Sequence, residues 1–77
     1  MLTAKQTIKY MKDNNYPAMY GDGHYVYDIK LVDGKCQVQQ NYVDTHQNLV
    51  CKKVKMLTEE QFLEWGADKM FDTLALY

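Results

Sequence analysis

With 77 residues, the chain is read as a single domain, 1–77, whose core is only just large enough to stand alone. A composition of 47% apolar and 25% charged residues excludes a disordered chain, and nine lysines against ten acids leave a net charge of −1 with no global pull toward nucleic acid. The chain has no serine and no arginine, so it lacks the commonest hydroxyl nucleophile and the forked side chain best suited to phosphate, carboxylate and guanine.

Lys5 precedes any apolar run, and no apolar stretch approaches the length of a signal peptide or a membrane span, which leads us to expect a cytoplasmic protein with no membrane partner. Cys36 and Cys51 fit that compartment as small buried hydrophobes rather than as a disulfide.

The hexapeptide Met-Leu-Thr-x-x-Gln occurs at residues 1–6 and again at 56–61. In each copy the threonine hydroxyl can cap a free amide while the glutamine reaches back, the signature of a capping box. The first copy opens helix one, in which Ala4, Ile8 and Met11 form one apolar stripe and Lys5, Lys9 and Lys12 a neighbouring basic one. Asn14-Asn15 can adopt the left-handed conformation that ends a helix, and Pro17 prevents resumption. Ala18-Met19-Tyr20 reads as a short strand, with a turn at Gly21-Asp22-Gly23; this glycine pair lacks the lysine and threonine of a phosphate loop.

Tyr25, Tyr27, Ile29 and Leu31 then alternate with His24, Val26, Asp28 and Lys30. Asp33-Gly34 supplies the positive φ angles of a two-residue hairpin turn, setting Leu31 opposite Cys36, Ile29 opposite Val38, Tyr27 opposite Gln40 and Tyr25 opposite Tyr42. A polar run at 44–48 makes a second turn, and Leu49 to Met56 a third long strand. There Leu49 and Cys51 suit the inner face, but so do Val54 and Met56 of opposite parity; a bulge near Lys52-Lys53 reconciles them.

Helix two starts at Thr58, and Leu63, Gly66, Ala67, Met70, Phe71 and Leu74 define its expected apolar stripe. Gly66 weakens that helix by about 1 kcal/mol relative to alanine, which suggests a close approach of a neighbouring strand. The expected fold is therefore α+β: a small antiparallel sheet of three to four strands flanked by an N-terminal and a C-terminal helix, in α-β-β-β-α order. That order resembles double-stranded RNA-binding domains, though Glu59-Glu60-Gln61 stands where those domains carry a lysine cluster. It also resembles PepSY-type inhibitory or accessory modules, through the alternating hairpin from Tyr25 through Gly34 to Val43.

No spacing sets Cys36 or Cys51 beside His24 or His46 for nucleophilic catalysis, and their order matches no zinc finger. Glu60 and Glu64 share a helix face in the manner of ordinary solvated acids. The expectation is a non-catalytic protein without cofactor or metal that binds, and inhibits, a macromolecular partner, most simply another protein. Small inhibitors carried by phages and mobile elements are of this kind. Two surfaces are candidates for contact: an acidic face of helix two (Glu60, Glu64 and Asp68) and an aromatic turn (Tyr16, Tyr20 and Asp22). The acidic face would suit a partner with a basic nucleic-acid groove. Lys52, Lys53 and Lys55 form an alternative patch for nucleic acid itself, and a homodimer joined through an edge strand is a further reading.

Overall fold

A computed structural model of the chain describes residues 1–73. Helix α1 (Ala4–Asn14) is followed by strands β1 (Ala18–Gly21), β2 (Val26–Val32), β3 (Lys35–Val43) and β4 (Leu49–Leu57), then by helix α2 (Glu59–Trp65) and strand β5 (Asp72–Thr73). The strands form one antiparallel sheet in the order β4-β3-β2-β1-β5. The fold is thus α+β, with five strands rather than the expected three to four, and α2 is followed by a strand rather than closing the chain.

Both hexapeptides form capping boxes. The Gln6 N–H donates to Thr3 Oγ1 at 3.2 Å and the Thr3 N–H to Gln6 Oε1 at 3.0 Å; at Thr58 and Gln61 the corresponding distances are 3.1 and 2.9 Å. Asn15 ends α1 in the left-handed region (φ 53°, ψ 41°), its N–H bonded to Met11 O. Asp33 and Gly34, at φ 51° and 78°, make the β2–β3 hairpin, and the pairings of Leu31 with Cys36, Ile29 with Val38 and Tyr27 with Gln40 follow as the alternation requires. Tyr25 lies just before β2, outside the paired register that would set it against Tyr42.

Both helices cover the same face of the sheet. Ala4, Ile8 and Met11 of α1 and Phe62 of α2 are buried with Ala18, Ile29, Cys36, Val38 and Phe71. Tyr20, Tyr27, Leu31, Leu57 and Trp65 pack around this cluster. Gly66 sits where the layers meet: a Cβ there would lie 3.0 Å from both Ala4 Cβ and Phe71 Cζ. The close approach inferred from Gly66 is therefore made by helix α1 and the Phe71 ring.

The apolar spacing that extends helix two toward Leu74 is overridden after Trp65. The Gly66 N–H closes the last helical turn on Phe62 O, the Lys69 N–H bonds Gly66 O, and the chain then reverses. Phe71 pairs with Leu2 through hydrogen bonds of 2.7 and 2.8 Å, and Asp72–Thr73 pairs with β1. Leu63 and Met70, assigned by spacing to the buried stripe, are 37% and 44% exposed; Leu74 lies outside the described residues. Seven helical residues have too few internal hydrogen bonds to persist against the alternative of burying Phe71 and extending the sheet.

The bulge in β4 occurs at Lys52, the extra residue between the pairs Gln40–Lys53 and Asn41–Cys51. It unites the two parities of the strand, but on the opposite face from that expected. Leu57 pairs with the buried Cys36, so Lys55 and Lys53 share the helix-covered side. Val54 and Met56, with Cys51 and Leu49 beyond the bulge, therefore share the open face. Cys51 is accordingly exposed rather than buried.

Candidate interaction surface

The sheet's open face is partly polar. Near its centre Asn41 donates to Asp28 Oδ2 at 3.0 Å and accepts from Gln39 Nε2 at 2.9 Å, a ladder that lets Asn41 be 1% exposed without an unsatisfied amide. Toward β4 the face becomes apolar: Val43, Leu49, Val54 and Met56 are 57, 55, 49 and 45% exposed. β4 is also an edge strand nine residues long, with β3 on one side only among the described residues. The opposite edge is β5, described over Asp72–Thr73.

On the helix-covered side, β4 carries Lys53 and Lys55 at the mouth of a cleft of about 180 Å³ that runs between α2 and the sheet. Tyr27, Gln40, Leu57 and Trp65 form much of its wall. The Gln40 amide nitrogen donates to Tyr27 Oη at 3.0 Å, while its Oε1 is buried without a partner among the described residues. Lys52 turns toward the aromatic rim: its Nζ donates to Tyr25 Oη at 3.0 Å and lies 4.8 Å from the ring centre. That hydrogen bond raises the Lys52 pKa above its ordinary value, helped by the neighbouring phenol oxygens. Among the described residues the ion pairs are Lys9–Asp13, Lys12–Glu59 and Lys69–Asp68, so no carboxylate pairs with Lys52, Lys53 or Lys55.

The acidic residues of the second helix do not form one continuous face. Glu60 and Glu64 are exposed on α2, one turn apart, but Asp68 lies beyond the helix end, bonded to Lys69 at 3.1 Å. Glu59 is engaged by Lys12 of α1 at 2.7 Å, which couples the basic helix to the acidic one inside the molecule.

The aromatic turn is likewise divided. Tyr16 is 50% exposed and lines a groove with Met11, Pro17 and Leu31. Tyr20 instead enters the aromatic cluster, its ring centre 5.6 Å from Phe71, 5.8 Å from Tyr27 and 6.2 Å from Trp65. Asp22 organises the turn, Oδ1 accepting from the N–H groups of Tyr25 at 2.7 Å and His24 at 2.8 Å. These bonds hold its carboxyl below the usual range.

The thiols differ in environment. Burial, assisted by the Glu59 charge, pushes the Cys36 thiol up to about 11, whereas Cys51 is open to solvent. No group of three histidine, cysteine, aspartate or glutamate side chains lies together in metal-binding geometry among the described residues, and no helix there is long and apolar enough to cross a membrane.

Sequence reasoning missed the exposed apolar row of β4. Its signal was the broken alternation of Leu49, Cys51, Val54 and Met56, which marks a bulged strand with one apolar and one charged side. No protein-family model, curated protein or solved structure matches the chain. The likeness to RNA-binding and PepSY-type domains rested on an expected α-β-β-β-α order, and the observed order, α-β-β-β-β-α-β, departs from it.

Proposed function

We propose that this chain is a non-catalytic binding module whose partner is another protein, and that it acts as an inhibitor by covering a surface of that partner. The observation that carries the reading is the join of an open sheet edge with the exposed row Val43, Leu49, Val54 and Met56. Contiguous exposed apolar residues beside free main-chain groups are costly to leave in water and are a recurrent feature of protein contact sites. A cytoplasmic setting, in which Cys36 and Cys51 remain thiols, agrees with this reading. So does a phage or mobile-element origin, as a prior about small inhibitors.

The test is affinity capture of the intact chain from its native cytoplasm, with the Val54→Asp/Met56→Asp double variant as control. A partner recovered in stoichiometric amount by the parent and lost with the folded variant supports the reading. Equal recovery by both, or no specific partner, refutes it.

A second reading, nucleic-acid binding, is favoured by one specific observation: Lys52, Lys53 and Lys55 adjoin the aromatic residues Tyr25, Tyr27 and Trp65. Lysines beside stacking rings suit a single strand. A gel shift that weakens steeply with salt supports it, and no shift at low salt removes it.

A further inference from the structure

We infer that β4 is a docking edge for an extended segment of the partner in which acidic and apolar residues alternate. This inference rests on the protein-binding reading and specifies its site and its chemistry.

A strand that pairs with the free side of β4 continues the sheet, so its side chains divide between the same two faces. On the helix-covered side it meets Lys53 and Lys55, which have no carboxylate partner among the described residues. On the open side it meets Val54 and Met56. Side chains directly across an antiparallel pair interact, with opposite charges favourable and like charges unfavourable. The matching segment therefore carries aspartate or glutamate at alternate positions and apolar residues between them. Lys53 to Leu57 is the regular part of the edge, because the bulge at Lys52 lies just before it. The cleft beside Lys53 and Lys55, lined by Trp65 and Tyr27, is next to the acidic side of such a strand.

The same charges argue against a second copy as the occupant. Antiparallel self-pairing centred on Val54 sets Lys53 of each copy against Lys55 of the other, while centring on Lys53 sets that lysine against itself. Either register brings like charges together across the seam. Lysines on an edge strand are a common defence against self-association, and here they also select for an acidic partner. Nucleic acid would satisfy the lysines but would leave Val54, Met56 and the main-chain edge unmatched.

The experiment uses the full-length chain, labelled with nitrogen-15, and a capped eight-residue peptide of alternating glutamate and valine. The expected result is amide shift changes concentrated in Leu49–Leu57, accompanied by a change in the emission of Trp65 beside the cleft. The Lys53→Glu/Lys55→Glu variant, shown to be folded by circular dichroism, should bind at least about tenfold more weakly, and Lys53→Gln/Lys55→Gln by an intermediate factor. A lysine–valine peptide should not bind, and a scrambled glutamate–valine peptide should bind at least about fivefold more weakly. Failure of the alternating peptide to bind, equal binding of the scrambled one, or shifts confined to α2 or to Tyr16 overturns the inference. So does a doubled mass in sedimentation that disappears in the glutamate variant. Binding of an oligothymidylate through the same lysines, without peptide binding, assigns the surface to nucleic acid instead. A cytoplasmic partner that cross-links only outside β4 overturns this inference while leaving the protein-binding reading intact; the lack of any partner removes that reading itself.

Discussion

Substitution of Gly66 by alanine tests how tightly the two helices and the returning chain meet. The backbone at Gly66 (φ −92°, ψ 7°) is open to any residue, so glycine is not needed there for conformation. Removing it should stabilise by about 0.4–1 kcal/mol, because the unfolded chain loses freedom. Against this, the new methyl would stand 3.0 Å from Ala4 Cβ, 3.0 Å from Phe71 Cζ and 3.1 Å from Phe62 O. Optimal carbon–carbon separations are about 3.5–4.0 Å. Phe71 is fully buried and Ala4 is held by its helix, so neither can swing away as an exposed side chain would. Overpacking of such a site costs about 1–3 kcal/mol, which outweighs the gain and leaves a net loss of about 1–2 kcal/mol.

Urea unfolding should show this as a lower midpoint with an unchanged slope, and a thermal scan as a fall of about 5–15 °C. Gly21→Ala is the control, since a Cβ there meets only Tyr25 O at 3.9 Å; it should change stability by less than about 0.5 kcal/mol. Adding Ala4→Gly to Gly66→Ala should recover part of the loss in a double-mutant cycle. A Gly66→Ala protein as stable as the parent would refute the proposed packing constraint.

Gly34→Ala should cost about 1 kcal/mol in the same urea assay, because φ of 78° is strained for any residue with a Cβ. A thiol reagent should modify Cys51 rapidly in the native protein and Cys36 only after unfolding, giving one fast equivalent and one slow by absorbance. The Cys36 thiol ionises at about 11 when folded, against an ordinary value of 9.0, so the unfolded chain releases its proton first as pH rises. Its contribution to stability is therefore intact below pH 9 and lost between 9 and 11, and Cys36→Ala should flatten that part of the stability profile relative to the parent. Asp22 behaves in the opposite sense: its lowered pKa means that the turn is stabilised above about pH 4 and weakened as pH falls. Protection of the His24 and Tyr25 amides, measured relative to intrinsic exchange at each pH, should fall in acid, and Asp22→Ala should abolish that dependence.

The parts of the architecture legible in the sequence are those decided by residues near one another in the chain. Thr3 with Gln6 and Thr58 with Gln61 are three residues apart, and each pair closes its own capping box whatever surrounds it. Asn15 and Asp33-Gly34 relieve local backbone strain, so a helix end and a hairpin register follow directly from them. The bulge in β4 was also readable, because two apolar parities in one strand require an extra residue.

The remaining features depend on distant partners. Residues 66–71 carry apolar spacing suitable for a helix, yet a short helix is weak, and pairing of Phe71 with Leu2 and of Asp72–Thr73 with β1 outcompetes it. Tyr20 and Asp22 follow exposed Tyr16 within six residues, but strand pairing carries Tyr20 into the aromatic cluster. The face assigned to Leu49, Cys51, Val54 and Met56 turned on one contact, that of Leu57 with Cys36 across the sheet. Helix starts, turns and the bulge are thus written in the sequence, because their energies are local. Which side of β4 faces the helices and which stays open was decided only in the tertiary structure, because a strand's parity has no meaning until one of its residues is buried.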